Sequence, residues 1–540
     1  MVDVLLIQPP IRDFYLTVKR TVPYGLGCIA EALAEAGFTV AIHDAMASGK
    51  ARPLPLPASL QYLHPFYGES DLSPFALFHQ FRHFGHSTAH IARAAGESGA
   101  FLIGISALFT AYCQEALDTA AAVRKVCPKA FIVMGGHHAT EMANAVLAHP
   151  APDAVLRGEG EVGMPLLARM LKDGMDIDAI PGIVLRAAEP DARIPPPAVM
   201  STPDRYPPPS LSRFHARHYR RAGRISVTLV TSRGCPMACS YCATGRHSYL
   251  PYRRRSVDAV LAEIRSAADV GPVGFIDFED ENLTLARAPF LRLLEGIRHI
   301  FGDDLPELRA MNGLYPPSLD DALVSAMSAA GFRTLNLSLG TACAEQSRRF
   351  NRAPVRSAFD AALDTAERCG LGAVGYIIIG APGQTAQSSI DDLLFLCRRR
   401  VLAGVSVFYP APGSLDFDRC LQEKILPVEF AAYRASAIPL SHTTTRLETV
   451  TLLRLGRLVN FMKQLCDEGL RLDAHAGEPA AGGGVADRRV IGMSLLRRFL
   501  DGEGIFGMSA GGARYRHHVD EAVVRRFLDL FDARQVRGTR

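Results

Sequence analysis

Short apolar runs separated by amphipathic stretches dominate the first third of the chain. Val4-Leu-Leu-Ile-Gln8 reads as a strand, residues 27–36 carry helical periodicity that stops at Gly37, and Phe38-Thr-Val-Ala-Ile42 reads as a strand again. The unit recurs: Phe101-Leu-Ile-Gly-Ile-Ser106 and Ala130-Phe-Ile-Val-Met134 flank a helical segment at 116–126. Continuously apolar strands alternating with helices predict a parallel, doubly wound sheet buried on both faces. Ligands of such sheets sit beyond the strand C-termini, which here carry Asp44-Ala-Met-Ala-Ser-Gly49, Ser106-Ala-Leu108 and Gly135-Gly136.

A Pro-rich stretch at 190–209 marks a boundary, after which the alternation resumes. Helices are expected at 257–268, 290–300, 319–330 and 358–369, and strands at 273–278, 308–311, 334–339 and 373–379. Repeated βα units of this length predict a TIM-type barrel or part of one. Beyond about residue 415 the pattern becomes helical, at 449–465 and 519–531, with a Gly-rich stretch at 480–484; this region is expected to cover the barrel mouth. The division is therefore an α/β N-terminal domain (1–188), a linker (189–222), a barrel (223–415) and a mainly helical C-terminal region (416–540).

Composition narrows the function. A chain of 540 residues, 48% hydrophobic and 21% charged, supports two or three cores, and a net charge of +4 with dispersed Lys and Arg gives no reason to invoke nucleic acid. No apolar run approaches the length of a membrane span, and the apolar start reads as a first strand rather than a leader. Eleven scattered cysteines fit a reducing, cytoplasmic setting.

Three of those cysteines stand apart. In Ser232-Arg-Gly-Cys-Pro-Met-Ala-Cys-Ser-Tyr-Cys-Ala-Thr-Gly245, Cys235, Cys239 and Cys242 follow a C-x3-C-x2-C spacing. A zinc knuckle uses paired C-x2-C units, and no second pair lies nearby. A four-iron cluster normally takes four thiolates, so three leave one iron open. With Tyr241 before the last cysteine, the segment resembles the C-x3-C-x-aromatic-C signature of the radical S-adenosylmethionine enzymes. The resemblance implies a 4Fe–4S cluster on Cys235, Cys239 and Cys242 whose open iron holds S-adenosylmethionine for cleavage to a 5′-deoxyadenosyl radical.

The N-terminal strand ends resemble a cobalamin-binding domain, with its D-x-H-x-x-G, S-x-L and G-G elements. The resemblance implies cobalamin contacts from Asp44, Met46, Gly49, Ser106, Leu108, Gly135 and Gly136. Met46 replaces the histidine that would ligate cobalt, so lower-face His ligation is lost. A flavodoxin-like or ligand-free Rossmann module is the bland alternative. Arg157-Gly-Glu-Gly-Glu161 resembles an R-G-E-G-E element that follows this domain in radical enzymes; Glu161 at a helix start also has a purely structural explanation.

Within the barrel, Phe278-Glu-Asp-Glu-Asn-Leu283 resembles the family's F-x-D-D-x-F, which assigns Asp280 to the amino group of S-adenosylmethionine, although a helix N-cap explains it too. Asn312, Ser338 and Gly340 end other strands and resemble pocket positions, and Ile377, before the Gly380-Ala-Pro-Gly383 turn, is placed near adenine. Gly340-Thr-Ala-Cys343 departs from the family's G-I-E-S and lacks its carboxylate. Two histidine pairs, His79/His83 and His86/His90, interleaved with Phe78, Phe81 and Phe84, are expected on an amphipathic packing helix without metal. Arg454, Arg457 and Asn460 share a helix face that is either solvated or turned to substrate.

The family resemblance implies methylation of an unactivated carbon of a small-molecule or lipid-like substrate, with one S-adenosylmethionine supplying the methyl group through cobalamin and another the radical. A one-electron donor such as flavodoxin or ferredoxin is the implied partner. A cyclase or rearrangement enzyme like the anaerobic porphyrin-ring cyclases, and a ligand-binding protein with a degenerate barrel, are the alternatives.

Overall fold

The computed structural model describes residues 1–539 except 16–21, 68, 79, 187–193, 215–216, 246–247, 471 and 473–486. His79 and the Gly-rich stretch at 480–484 lie outside the described residues.

The N-terminal sheet has the strand order Val40–Asp44, Val4–Gln8, Leu102–Ser106, Phe131–Gly135, Ala154–Leu156, Ile183–Leu185, parallel except for the last. Val4, Leu5, Leu6 and Ile7 are all buried because helices cover both faces. Tyr24–Glu35 and Gly160–Asp173 pack together on one side, Thr88–Ser98 and Cys113–Val126 on the other.

A small antiparallel sheet of Ile11–Asp13, Phe81–Phe84 and Ala51–Leu54 leans on this domain. It corrects the helix expected around His83 and His86. Gly85, between them, has φ +109 and a Cβ there would lie 2.6 Å from the Ala45 carbonyl, so the chain turns sharply where a helix would have continued.

The second domain is a barrel that does not close. Arg224–Leu229, Val273–Phe278 and Glu307–Arg309 form one parallel run, Thr334–Gly340, Gly372–Ile379 and Leu402–Val407 another, and isolated bridges Leu308–Phe332 and Leu314–Leu337 join them. Helices, among them Val257–Val270, Arg287–Phe301 and Arg356–Arg368, form the outer layer.

The C-terminal helix Arg446–Asp467, opened by a capping box between Thr445 and Glu448, runs beside the edge strand Leu402–Val407 rather than across the barrel mouth. Asn460 completes that edge: its side-chain amide accepts from Ala403 N–H and donates to Ala403 C=O, both at 2.8 Å. Arg454 is buried against the carbonyls of Phe66 and Phe75 and His517, so it is a structural residue rather than part of a solvated or substrate-facing surface. No described helix is long and apolar enough to cross a membrane.

Candidate active site

The cysteine loop leaves the barrel strand Arg224–Leu229 at its C-terminal end. Gly234 has φ +75, and a Cβ there would lie 2.6 Å from the Leu250 carbonyl, so only glycine lets the loop pack on residues 250–251. Asp280 fixes the loop's start: its carboxylate accepts from Thr231 N–H at 3.0 Å, Thr231 Oγ1 at 2.6 Å and Ser232 Oγ at 2.5 Å. Both oxygens are thus committed to protein, and the next helix begins only at Arg287, so Asp280 caps no helix. Burial raises its pKa against these hydrogen bonds.

Cys235 and Cys239 are buried and Cys242 half-buried. Burial pushes the Cys235 and Cys239 thiols up, while Arg352 and the Tyr241 hydroxyl draw the Cys239 thiol back down. The Tyr241 hydroxyl in turn accepts from Arg352 Nη1 at 3.1 Å, and Arg352 Nη2 donates to Ser338 Oγ at 2.8 Å. Ser338 and Cys239 are therefore joined through one guanidinium, a role for Arg352 that no sequence motif announced. Asn282 Nδ2 faces Cys235 Sγ at 4.0 Å. Among the described residues, only His43, His86 and His90 bring three candidate ligand atoms within 4.8 Å of one another. Cys242 Sγ has the Thr244 hydroxyl at 3.3 Å, so each of the three thiols has a polar side chain beside it, which suits the corners of an iron–sulfur cluster.

Beside the loop, Glu279 ends the strand Val273–Phe278 and accepts from Asn312 Nδ2 at 3.2 Å. Burial raises its pKa, as it does that of Glu281, which reaches about 7. Ile377 is fully buried in the main core; strand alternation gives its neighbour Ile378 the side packed near Tyr241 and Phe408. Behind the Gly340-Thr-Ala-Cys343 turn, Asp392 is fully buried and braces it, accepting from Ala342 N–H at 2.6 Å and Thr341 Oγ1 at 3.1 Å. Arg457 lines a cavity of about 480 Å³ with Arg309, Asn336 and Tyr376, at the strand N-terminal half of the barrel.

Residues of the N-terminal domain meet the barrel from the other side. Glu161 and Glu159 hold Arg233, which lies between the barrel strand and Cys235: Nη2 to Glu161 at 2.6 Å and Nη1 to Glu159 at 2.7 Å, with Arg253 on the second oxygen of Glu159 at 2.7 Å. Arg434 from the C-terminal region pairs with buried Asp13 at 3.2 Å and donates to Ala111 C=O at 2.8 Å. Leu108 and Phe109, 47% and 59% exposed, end the Leu102–Ser106 strand region as bare apolar side chains. Tyr409 on the barrel side is 45% exposed, with Cys242 and Tyr15 nearby.

Ser106 and Gly135 end adjacent strands, and Gly136, at φ +110, comes so close to Ala107 that a Cβ would lie 2.9 Å from its carbonyl. Only glycine allows that approach, which packs the turns after two adjacent strands together beyond the strand C-termini, where ligands of such sheets sit. Asp44, in contrast, ends an edge strand and bonds the Tyr219 hydroxyl and, at 2.9 Å, Met46 N–H; Met46 packs in a small cluster with Ile11 and Phe84. Gly49 is exposed with open space around its Cα.

Residues 229–396 match the model of the Radical SAM superfamily, and residues 80–168 that of the B12 binding domain. The chain is a cobalamin-dependent radical S-adenosylmethionine enzyme. Its cofactors are a 4Fe–4S cluster, S-adenosylmethionine and cobalamin. The B12 match begins after residues 44–49 and includes Ser106, Leu108, Gly135 and Gly136. The enzyme is 25% identical over 470 residues to cytidylyl-2-hydroxyethylphosphonate methyltransferase of Streptomyces wedmorensis, covering 80% of this chain and 84% of the relative. It is 27% identical over 350 residues to the anaerobic magnesium-protoporphyrin IX monomethyl ester cyclase of Rubrivivax gelatinosus, covering 62% and 60%. Its fold is similar to that of the radical S-adenosylmethionine methyltransferase TsrM from Kitasatospora setae, solved with cobalamin and a 4Fe–4S cluster bound, at TM-score 0.57 and 17% identity over 78% of this chain and 75% of that one.

Proposed function

We propose that the enzyme is a methyltransferase acting on an unactivated carbon of a small-molecule or lipid-like substrate held between the cysteine loop and the cobalamin domain. The observation that carries this is the likeness to a methyltransferase over 470 residues, through both cofactor domains and beyond. Cys235, Cys239 and Cys242 would hold the cluster. The amino group of S-adenosylmethionine would sit on Glu279, because Asp280 is spent on Thr231 and Ser232 while Glu279, among the described residues, accepts from Asn312 at the barrel rim. Ser106, Gly135 and Gly136 would line the corrin. When bound, cluster and S-adenosylmethionine supply hydrogen abstraction and cobalamin supplies the methyl group.

The chain's own work is placement. The Glu159–Arg233–Glu161 contacts hold the cysteine loop against the cobalamin domain, and Leu108, Phe109 and Tyr409 give the space between the two an apolar lining that excludes water around a radical. A one-electron donor such as flavodoxin or ferredoxin would reduce the cluster. The likeness to a porphyrin-ring cyclase supports a second reading, ring formation without methyl transfer.

The test is anaerobic incubation of the reconstituted enzyme with trideuteromethyl S-adenosylmethionine, a reductant and fractionated small-molecule extract. A product carrying the trideuteromethyl group together with 5′-deoxyadenosine supports methyl transfer. Substrate loss with 5′-deoxyadenosine but no label uptake supports the cyclase reading.

A further inference from the structure

His43, His86 and His90 come from three separate pieces of chain and meet at one point of the cobalamin domain. His43 lies on the strand Val40–Asp44, His86 in the turn after Phe81–Phe84, and His90 in the first turn of the helix Thr88–Ser98. Their ring centroids are 4.4 Å apart for His86–His90 and 5.7 Å for each of the other pairs, and one ring nitrogen from each lies within 4.8 Å of the others. All three are half-buried.

The backbone that carries them is fixed independently of the rings. His86 N–H donates to Ala45 C=O at 2.9 Å, Gly85 is pressed against the same carbonyl, and Ser87 caps the helix by accepting from His90 N–H at 3.3 Å. Zinc–imidazole bonds of about 2.0–2.1 Å put tetrahedral ligand nitrogens about 3.3 Å apart, so small side-chain rotations close the set. Three imidazoles with no thiolate or carboxylate among them select a borderline divalent ion over magnesium or calcium.

We propose that His43, His86 and His90 form a second metal site, separate from the cysteine loop, that binds a zinc-class divalent cation with a water in the fourth position. Such an ion staples the end of the strand Val40–Asp44, the turn at Gly85 and the helix start into one unit on the edge of the cobalamin domain. Exposed Arg93 donates to His90 Nδ1 at 3.0 Å, and its guanidinium competes with a cation for that ring.

The probe is zinc chloride added to the full-length, cluster-reconstituted enzyme, whose cysteine triad is already filled with iron, followed by desalting and metal analysis with competition against a chromophoric chelator. Wild-type protein is expected to retain about one zinc per chain. His86→Ala and His90→Ala should each lose it with iron content unchanged, and Arg93→Ala should bind zinc severalfold more tightly. Replacing zinc by cobalt(II) should give weak visible bands without the thiolate charge-transfer absorption that binding at cysteine would produce. Zinc retained in both histidine variants, no zinc in the wild type, or a thiolate band with cobalt would overturn the proposal.

Discussion

Arg233 Nη2 and Glu161 Oε1 lie 2.6 Å apart in a buried contact that ties the residue two before Cys235 to the first turn of a cobalamin-domain helix. Glu161 is thus more than a favourable charge at a helix start. With Glu159 on the same guanidinium, the R-G-E-G-E element is an interdomain latch. Removing Arg233 leaves two buried carboxylates short of their partner, which costs about 3–5 kcal/mol. Arg233→Ala should lower the urea midpoint and reduce iron per chain after reconstitution, whereas Arg205→Ala, which breaks an exposed pair with Glu35, should change neither. Equal iron loading in Arg233→Ala would dissociate the latch from the cluster loop.

Glu279 and Asp280 are adjacent but differently employed. Glu279→Gln should raise KM for S-adenosylmethionine about tenfold or more, the worth of one charge-assisted hydrogen bond, with iron content unchanged. Asp280→Ala should instead lose iron, because Thr231 and Ser232 lose their acceptor. Iron analysis beside S-adenosylmethionine cleavage kinetics separates the two, and the reverse pattern would return the cofactor contact to Asp280.

The outlines of both domains were legible because strand and helix periodicities are local: the doubly wound sheet, the βα repeats and the cysteine loop stand where the sequence pattern puts them. What the pattern lacked was contact information across the chain. Asp280 shares its motif with Glu279, and only three-dimensional contacts with Thr231 and Ser232 show which carboxylate is already in use. Ile377 and Ile378 are equally apolar, and only the register of the strand decides which meets the core. The histidines spaced by four imitate a helix, but Gly85 turns the chain between them and His43, some forty residues earlier, completes the group. Arg352 and Arg434 gave no signal, since a lone arginine far from its partner carries no motif.

Asp392 provides a pH test. Burial raises its pKa to about 7 from an ordinary value of 3.8, so the folded state holds a proton that the unfolded chain releases. Its stabilising contribution is full below about pH 4 and is lost as pH rises through 7. Asp392→Asn, which mimics the protonated acid, should match wild type in thermal melting near pH 4 and gain on it steadily as pH rises to 7. A variant less stable at pH 8 than at pH 5 relative to wild type would show that the ionised carboxylate is the native form.

Gly136 offers a test of the corrin site. At φ +110, an alanine Cβ would press on the Ala107 carbonyl, at a backbone cost of about 1–3 kcal/mol. Gly136→Ala should weaken hydroxocobalamin retention at least tenfold and leave iron loading intact. Gly49→Ala, where nothing lies within 4 Å, should leave retention unchanged.

Whether one chain holds both cofactors is read from a metal count. Anaerobically reconstituted enzyme is incubated with hydroxocobalamin, desalted and analysed for iron and cobalt. About four irons and one cobalt per chain are expected, with cobalt retained in Met46→Ala because Met46 packs against Ile11 and Phe84. Iron without cobalt in the wild type would contradict it and leave a radical enzyme whose N-terminal domain holds no corrin.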